Sequence, residues 1–140
     1  MNRADWQQLA EERMEDAAIL LANDRWPAAY YLAGYAVECG LKACILAYVE
    51  QNPDVIFRER RFSERCWTHD IDALVSIANL DAVRVAEAMA NPLFDNNWNT
   101  AKDWREADRY NGRNEVEARG LYAAISDPTN GVMQWIRKHW

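Results

Sequence analysis

Apolar residues recur every three to four positions along most of the chain, and no stretch of useful length alternates with the period of two that marks a strand. Residues about 4 to 22 read as a first amphipathic helix, with Trp6, Leu9, Ala10, Ala17, Leu20 and Leu21 separated by Glu and Gln. Asn23-Asp24 breaks the pattern. Pro27 suits the first turn of a second helix, and Asp24 is the expected cap. That helix, Pro27 to Val49, is apolar nearly all round, which places it in the centre of the molecule or in a subunit interface. Ala29, Ala33, Ala36, Gly40 and Ala43 give it small residues at helical spacing, where a neighbouring helix can approach closely. Glu38 and Lys42 are the only charges in its inner part. Their i,i+4 spacing predicts a structural ion pair.

Asn52-Pro53 ends the long helix, and Phe57 to Cys66 reads as a loop dense in arginine: Arg58, Arg60, Arg61 and Arg65. Thr68 is the expected cap of a third helix carrying Ile71, Leu74, Val75, Ala78 and Leu80, with Asp70 in its first turn. Asp81 is the expected cap of a fourth piece reaching about Ala90. Residues 91 to 101 read as an Asn-rich loop, and Lys102 to Tyr110 fits either a short helix or a loop. Glu115 to Ser126 reads as a helix. Asp127-Pro128 is the expected start of a last one, with Val132, Trp135 and Ile136 on its apolar side. The pattern predicts an all-α fold: an up-and-down bundle of four to five main helices, with residues 1-140 forming one domain.

Composition narrows the function. Half of the 140 residues are apolar and only 5 are Gly and 4 Pro, which excludes disorder by composition. Seven Trp and six Tyr are more rings than a small core hides, so some belong at the surface or in an interface. A net charge of −6 gives no overall field that attracts phosphates, so any nucleic-acid contact needs a local basic patch. Cys39, Cys44 and Cys66 are an odd set without a CxxC pair, read as reduced thiols, with Cys39 and Cys44 buried. The start of the chain does not read as a signal peptide, and no uncharged apolar run reaches membrane-spanning length. A soluble, cytoplasmic protein without a membrane partner is therefore expected.

Most standard chemistries lack their residues. His69 and His139 are far apart, there is no HExxH or clustered His/Asp/Glu pattern, and no metal or cofactor is expected. No Walker or GxGxxG loop and no GxSxG elbow is present. What remains are arginines among rings. Lys102, Arg105, Arg109 and Arg113 recur every three to four residues, and would share one face if the segment is helical. Trp104 and Tyr110 flank them, and Trp98 is near in sequence. Arginine forks beside rings suit phosphate binding and base stacking. The same residues also fit a solvated face balanced by Asp103, Glu106 and Asp108. His69 lies at a helix start, where added positive charge is disfavoured; it can donate to a ligand, act as a base, or merely cap and pack.

The run Trp26-Pro-Ala-Ala-Tyr-Tyr-Leu-Ala-Gly-Tyr-Ala-Val-Glu-Cys-Gly-Leu-Lys-Ala resembles the signature helix of HEPN domains (higher eukaryotes and prokaryotes nucleotide-binding), through Ala36, Val37, Glu38, Leu41, Lys42 and Ala43. Thr68-His69-Asp70-Ile71 and Leu74 resemble the family's His-Asp-Leu helix start, and Arg109-Tyr110 its Arg-Tyr element. The resemblance implies a HEPN-like helical bundle, usually a homodimer, that binds a nucleotide or RNA. It also implies a bacterial toxin–antitoxin or defence role beside a minimal nucleotidyltransferase partner. Active relatives are metal-independent ribonucleases that use Arg, four to six residues, then His. Here three residues separate Arg65 from His69 and seven separate Arg61 from it, while Ala118, Arg119 and Gly120 stand where a histidine would follow Arg113. The motif is not intact, so binding is expected before catalysis. The expected ligand contacts are Arg105, Arg109, Tyr110, Arg113, His69 and Trp104, with His69 and Arg109 the candidates for any catalysis. The alternatives are a ribonuclease toxin with a variant active site, and a non-catalytic protein-interaction subunit.

Overall fold

The computed structural model describes all residues, Met1–Trp140, and contains helices and turns with no strand. Helix α1 spans Arg3–Ala22, and α2 spans Trp26–Gln51. Two single-turn helices follow, α3 (Val55–Arg58) and α4 (Phe62–Arg65). Then come α5 (Ile71–Ile77), α6 (Asp81–Ala90) and α7 (Pro92–Ala101). A 3-10 turn (Glu106–Tyr110), α8 (Glu115–Ser126) and α9 (Val132–Arg137) complete the chain. Five helices have ten residues or more, which agrees with the expected four to five main helices in number, though α7 is not among those predicted.

Helix α2 is the axis. It packs against α1, α5, α8, α9 and the 3-10 turn. Its length and hydropathy suffice to cross a membrane, but 67% of its most apolar window is buried inside the fold. Its small residues do what their size allows: Ala29, Ala33, Ala36, Gly40 and Ala43 are all buried. At Gly40 an added Cβ would stand 2.8 Å from Ile136 Cγ2, so the missing side chain is what admits α9. At the far side of the core, Phe94, Trp98 and Trp135 meet with ring centroids 5.6 to 6.4 Å apart.

Several local expectations are corrected. Residues 91 to 101 form helix α7, not a loop. Asn91 caps it by accepting from the Phe94 N–H at 3.3 Å, Pro92 opens it, and Phe94, Trp98 and Ala101 bury one side. Cap, proline and apolar spacing together outweigh the weak helix propensity of its asparagines. The arginine-rich segment forms the short helices α3 and α4. Asp24 does not cap α2; it holds a left-handed φ of 59° in the turn before it, and Arg25 sits at the cap without a side-chain bond. Asp70, not Thr68, caps α5, accepting from the Ala73 N–H at 2.8 Å. Asp81 is the first residue of α6 and not its cap. Asp127 folds a turn by accepting from the Thr129 and Asn130 N–H groups at 2.9 and 2.7 Å, and α9 starts only at Val132. The 102–113 stretch is a loop with a 3-10 turn, so Lys102, Arg105, Arg109 and Arg113 do not line one helical face.

Candidate ligand-binding face on the long helix

Tyr31, Tyr35, Glu38 and Lys42 follow one another at helical spacing, so α2 carries them on one side. Glu38 is 0% exposed, a carboxylate that needs partners to stay in the interior. One oxygen, Oε1, has two: it accepts from Lys42 Nζ at 2.9 Å and faces His69 Nδ1 at 2.9 Å. The other, Oε2, is buried without a protein partner. The ion pair expected of Glu38 and Lys42 is present, and His69 joins it from 31 residues away in sequence.

The local fold aims His69 at this carboxylate. Thr68 Oγ1 accepts from the Asp70 N–H at 3.1 Å, which bends the chain just before α5 and holds the ring outside its first turn. An ionised carboxylate only accepts, so Nδ1 carries the hydrogen of this contact, and in the neutral ring Nε2 is then the acceptor. About half of the His69 side chain is exposed, so Nε2 is free to meet a ligand.

Up the helix, Tyr31 and Tyr35 stack with centroids 6.0 Å apart and planes at 5°. Burial pushes the Tyr35 hydroxyl up to about 12, with Cys39 and Glu38 adding to the effect. Tyr31 is also raised, by burial first and then by Glu106, while the Arg109 guanidinium facing its hydroxyl opposes the shift. Arg109 pairs with Glu106 at 2.9 Å and lies over the Tyr110 ring at 4.6 Å, and that ring is 76% exposed. His69 and Arg109 thus flank the same row of α2. Tyr31 and Glu38, which they meet, are seven residues apart, about 10 Å along the axis.

The other expected ligand contacts are placed differently. Trp104 is 0% exposed, with its ring against the bare backbone of Gly34 and no face left for a base. Arg105 Nη1 donates to the carbonyls of Lys102 and Trp104, both at 2.9 Å, and so ties its own loop. Arg113 pairs with Asp108 and with Glu117, and stacks over Tyr30 at 4.2 Å. Asp108 is buried, which alone would raise its carboxyl; the Arg105 N–H, Arg113 and Asn111 hydrogen bonds outweigh this and hold it below its ordinary value. Trp98 belongs to the core. No group of three or more His, Cys, Asp and Glu side chains converges as for a metal ion.

Residues 4–55, somewhat more than a third of the chain, match the family model described as the HEPN domain. Over that span the chain is similar to HEPN domains. No curated protein and no solved structure matches it. The matched span holds α1 from its second residue, the turn at Asp24 and all of α2, and so includes the row from Tyr31 to Lys42. A HEPN domain associates the chain with nucleotide- or RNA-related function in general. Sequence reading missed the Tyr31–Tyr35 stack and the meeting of Glu38 with His69. The first was legible as an i,i+4 pair of rings on α2. The second had no spacing signal, since its partners lie on different helices.

Proposed function

We propose that this chain is a HEPN-like domain that binds a nucleotide or RNA on the face of α2 that runs from Arg109 to His69. The observation that carries the reading is the continuous row of Arg109, Tyr31, Tyr35, Glu38 and His69. It offers a guanidinium for phosphate, exposed Tyr110 for a base, and an imidazole acceptor for a hydroxyl, all beside one rigid helix. In a globally acidic protein such a contact is local and salt-sensitive. Titration of labelled nucleotides and short single-stranded RNA at low salt tests it. Binding that weakens in Arg109→Ala is expected; no binding, or unchanged binding in that variant, rejects it. The protein is proposed to act as a cytoplasmic homodimer beside a minimal nucleotidyltransferase, in a toxin–antitoxin or defence-type system. Co-expression with an adjacent nucleotidyltransferase gene and light scattering test this setting.

A second reading rests on the Glu38–His69 contact. A buried carboxylate that fixes Nδ1–H leaves Nε2 as a proton acceptor for a ribose 2′-hydroxyl, a task the interrupted Arg-to-His motif leaves unfilled. Metal-free incubation with cellular RNA tests it. Cleavage abolished in His69→Ala supports the reading; no cleavage, or cleavage that persists in that variant, excludes it.

A further inference from the structure

A cleft lies beyond the proposed RNA face. Between α2, the start of α1 and the α3–α4 segment is a cleft of 420 Å³, within the range of small-molecule pockets. Ile45, Leu46 and Val49 of α2 line one side, and Phe62 lies opposite. Trp6 and Trp67 stand on its walls, and Trp67, 80% exposed, leaves the cleft open to solvent. Eight of the ten lining residues are apolar, and no acidic side chain is among them. Lys42 is the single charge. Its ammonium lies 5.0 Å from the Trp6 ring and gives one hydrogen bond to Glu38, whose Oε1 His69 also serves. A lysine has three N–H donors, so the bond to Glu38 does not exhaust its capacity to donate. Ser63 adds a hydroxyl at its edge.

We infer that this cleft binds a small aromatic anion: a flat apolar body between the tryptophans, with a carboxylate or similar group on Lys42. Rings match the walls because indole faces gain from stacking beyond the area they cover. The anion follows from a lining whose only charge is positive and is anchored on a buried carboxylate. The inference does not rest on RNA binding, because the cleft lies on the α3–α4 side and Arg109 on the other side of the tyrosine row. Lys42 and Glu38 connect the two, so an occupied cleft would change the surroundings of His69.

The probe is 2-naphthoate, titrated by calorimetry into the full chain, with neutral 2-naphthamide and aliphatic octanoate as comparisons. Naphthoate is expected to bind, and each comparison to bind at least about fivefold more weakly, the scale of one aromatic or charged contact. Trp67→Ala, at an exposed position, is expected to weaken naphthoate about fivefold, and Ser63→Trp to block it by filling the mouth. Both variants should keep the helical circular dichroism of the parent, and Arg109→Ala should leave naphthoate binding unchanged. Absence of naphthoate binding overturns the inference. So do equal affinity for octanoate and undiminished binding in folded Ser63→Trp. If Ser63→Trp alters self-association while naphthoate does not bind, a second copy fills the cleft and the inference fails.

Discussion

Replacing Gly34 with Ala examines the closest contact in the fold. A Cβ built at Gly34 stands 2.2 to 2.3 Å from three atoms of the Trp104 ring. Ordinary contact needs more than an ångström beyond that, and Trp104 is wholly buried, so the ring has no solvent to move into. Overpacking of this kind costs about 1–3 kcal/mol. Inside a helix, Gly→Ala alone would instead stabilise by about 1 kcal/mol. A clash at 2.2 Å against a wholly buried ring belongs at the upper end of that range, so the net expectation is a loss of about 2 kcal/mol. For a chain of this size that lowers the melting midpoint by about 4 °C per kcal/mol. Gly120 supplies the control. It lies inside α8, and nothing is within 4 Å of its added Cβ, so Gly120→Ala should raise stability by about 0.5–1 kcal/mol. Urea and thermal unfolding followed by circular dichroism read both. If Gly34→Ala is as stable as the parent or more so, the Trp104–Gly34 contact is refuted. So is the anchoring of the Arg105–Tyr110 loop through it.

Asp108 should give the fold an acid-sensitive edge: its folded carboxyl lies below the ordinary 3.8, so it stabilises above that value and loses the contribution as pH falls through the lowered one. Asp108→Asn should flatten unfolding free energy against pH below about 4, and an unchanged slope would show that its bonds with Arg105 and Arg113 do not persist in solution. The thiols should react in sequence with Ellman's reagent. Half-buried Cys66 comes first, while Cys39 and Cys44, pushed up to about 12 by burial, wait for unfolding. Fast labelling of two or three thiols in the folded chain would contradict the buried placement of α2.

The architecture was legible where apolar spacing and local chemistry agreed, as along α1, α2 and α8. It was less legible where a residue's local preference conflicted with its packing. The asparagines of α7 argue for a loop, yet Asn91, Pro92 and the spacing of Phe94, Trp98 and Ala101 form a helix. Asp127-Pro128 looks like a helix start, yet the Asp127 carboxylate closes a turn on Thr129 and Asn130 instead. The arginine row failed for a related reason: Asp108 and the carbonyls of Lys102 and Trp104 fold Arg105 and Arg113 into local bonds. Trp104 looked free to stack because nothing in its neighbourhood reveals that Gly34, seventy residues earlier, leaves a ring-sized gap. His69 was legible as a candidate, but its seat on Glu38 was not.

The Arg109–His69 face of α2 is proposed to hold a nucleotide or RNA. The most direct measurement compares the parent, Arg109→Ala and Arg58→Ala for affinity to one labelled single-stranded RNA at fixed low salt. Arg58 is a half-exposed arginine on α3, paired with Asp54 and away from the tyrosine row. The two substitutions change net charge equally, so a general electrostatic effect would appear in both. Arg109→Ala is expected to bind about tenfold more weakly, the scale of a charged hydrogen bond, and Arg58→Ala to change little. Equal losses in the two variants, or no measurable binding by the parent, would contradict the proposal.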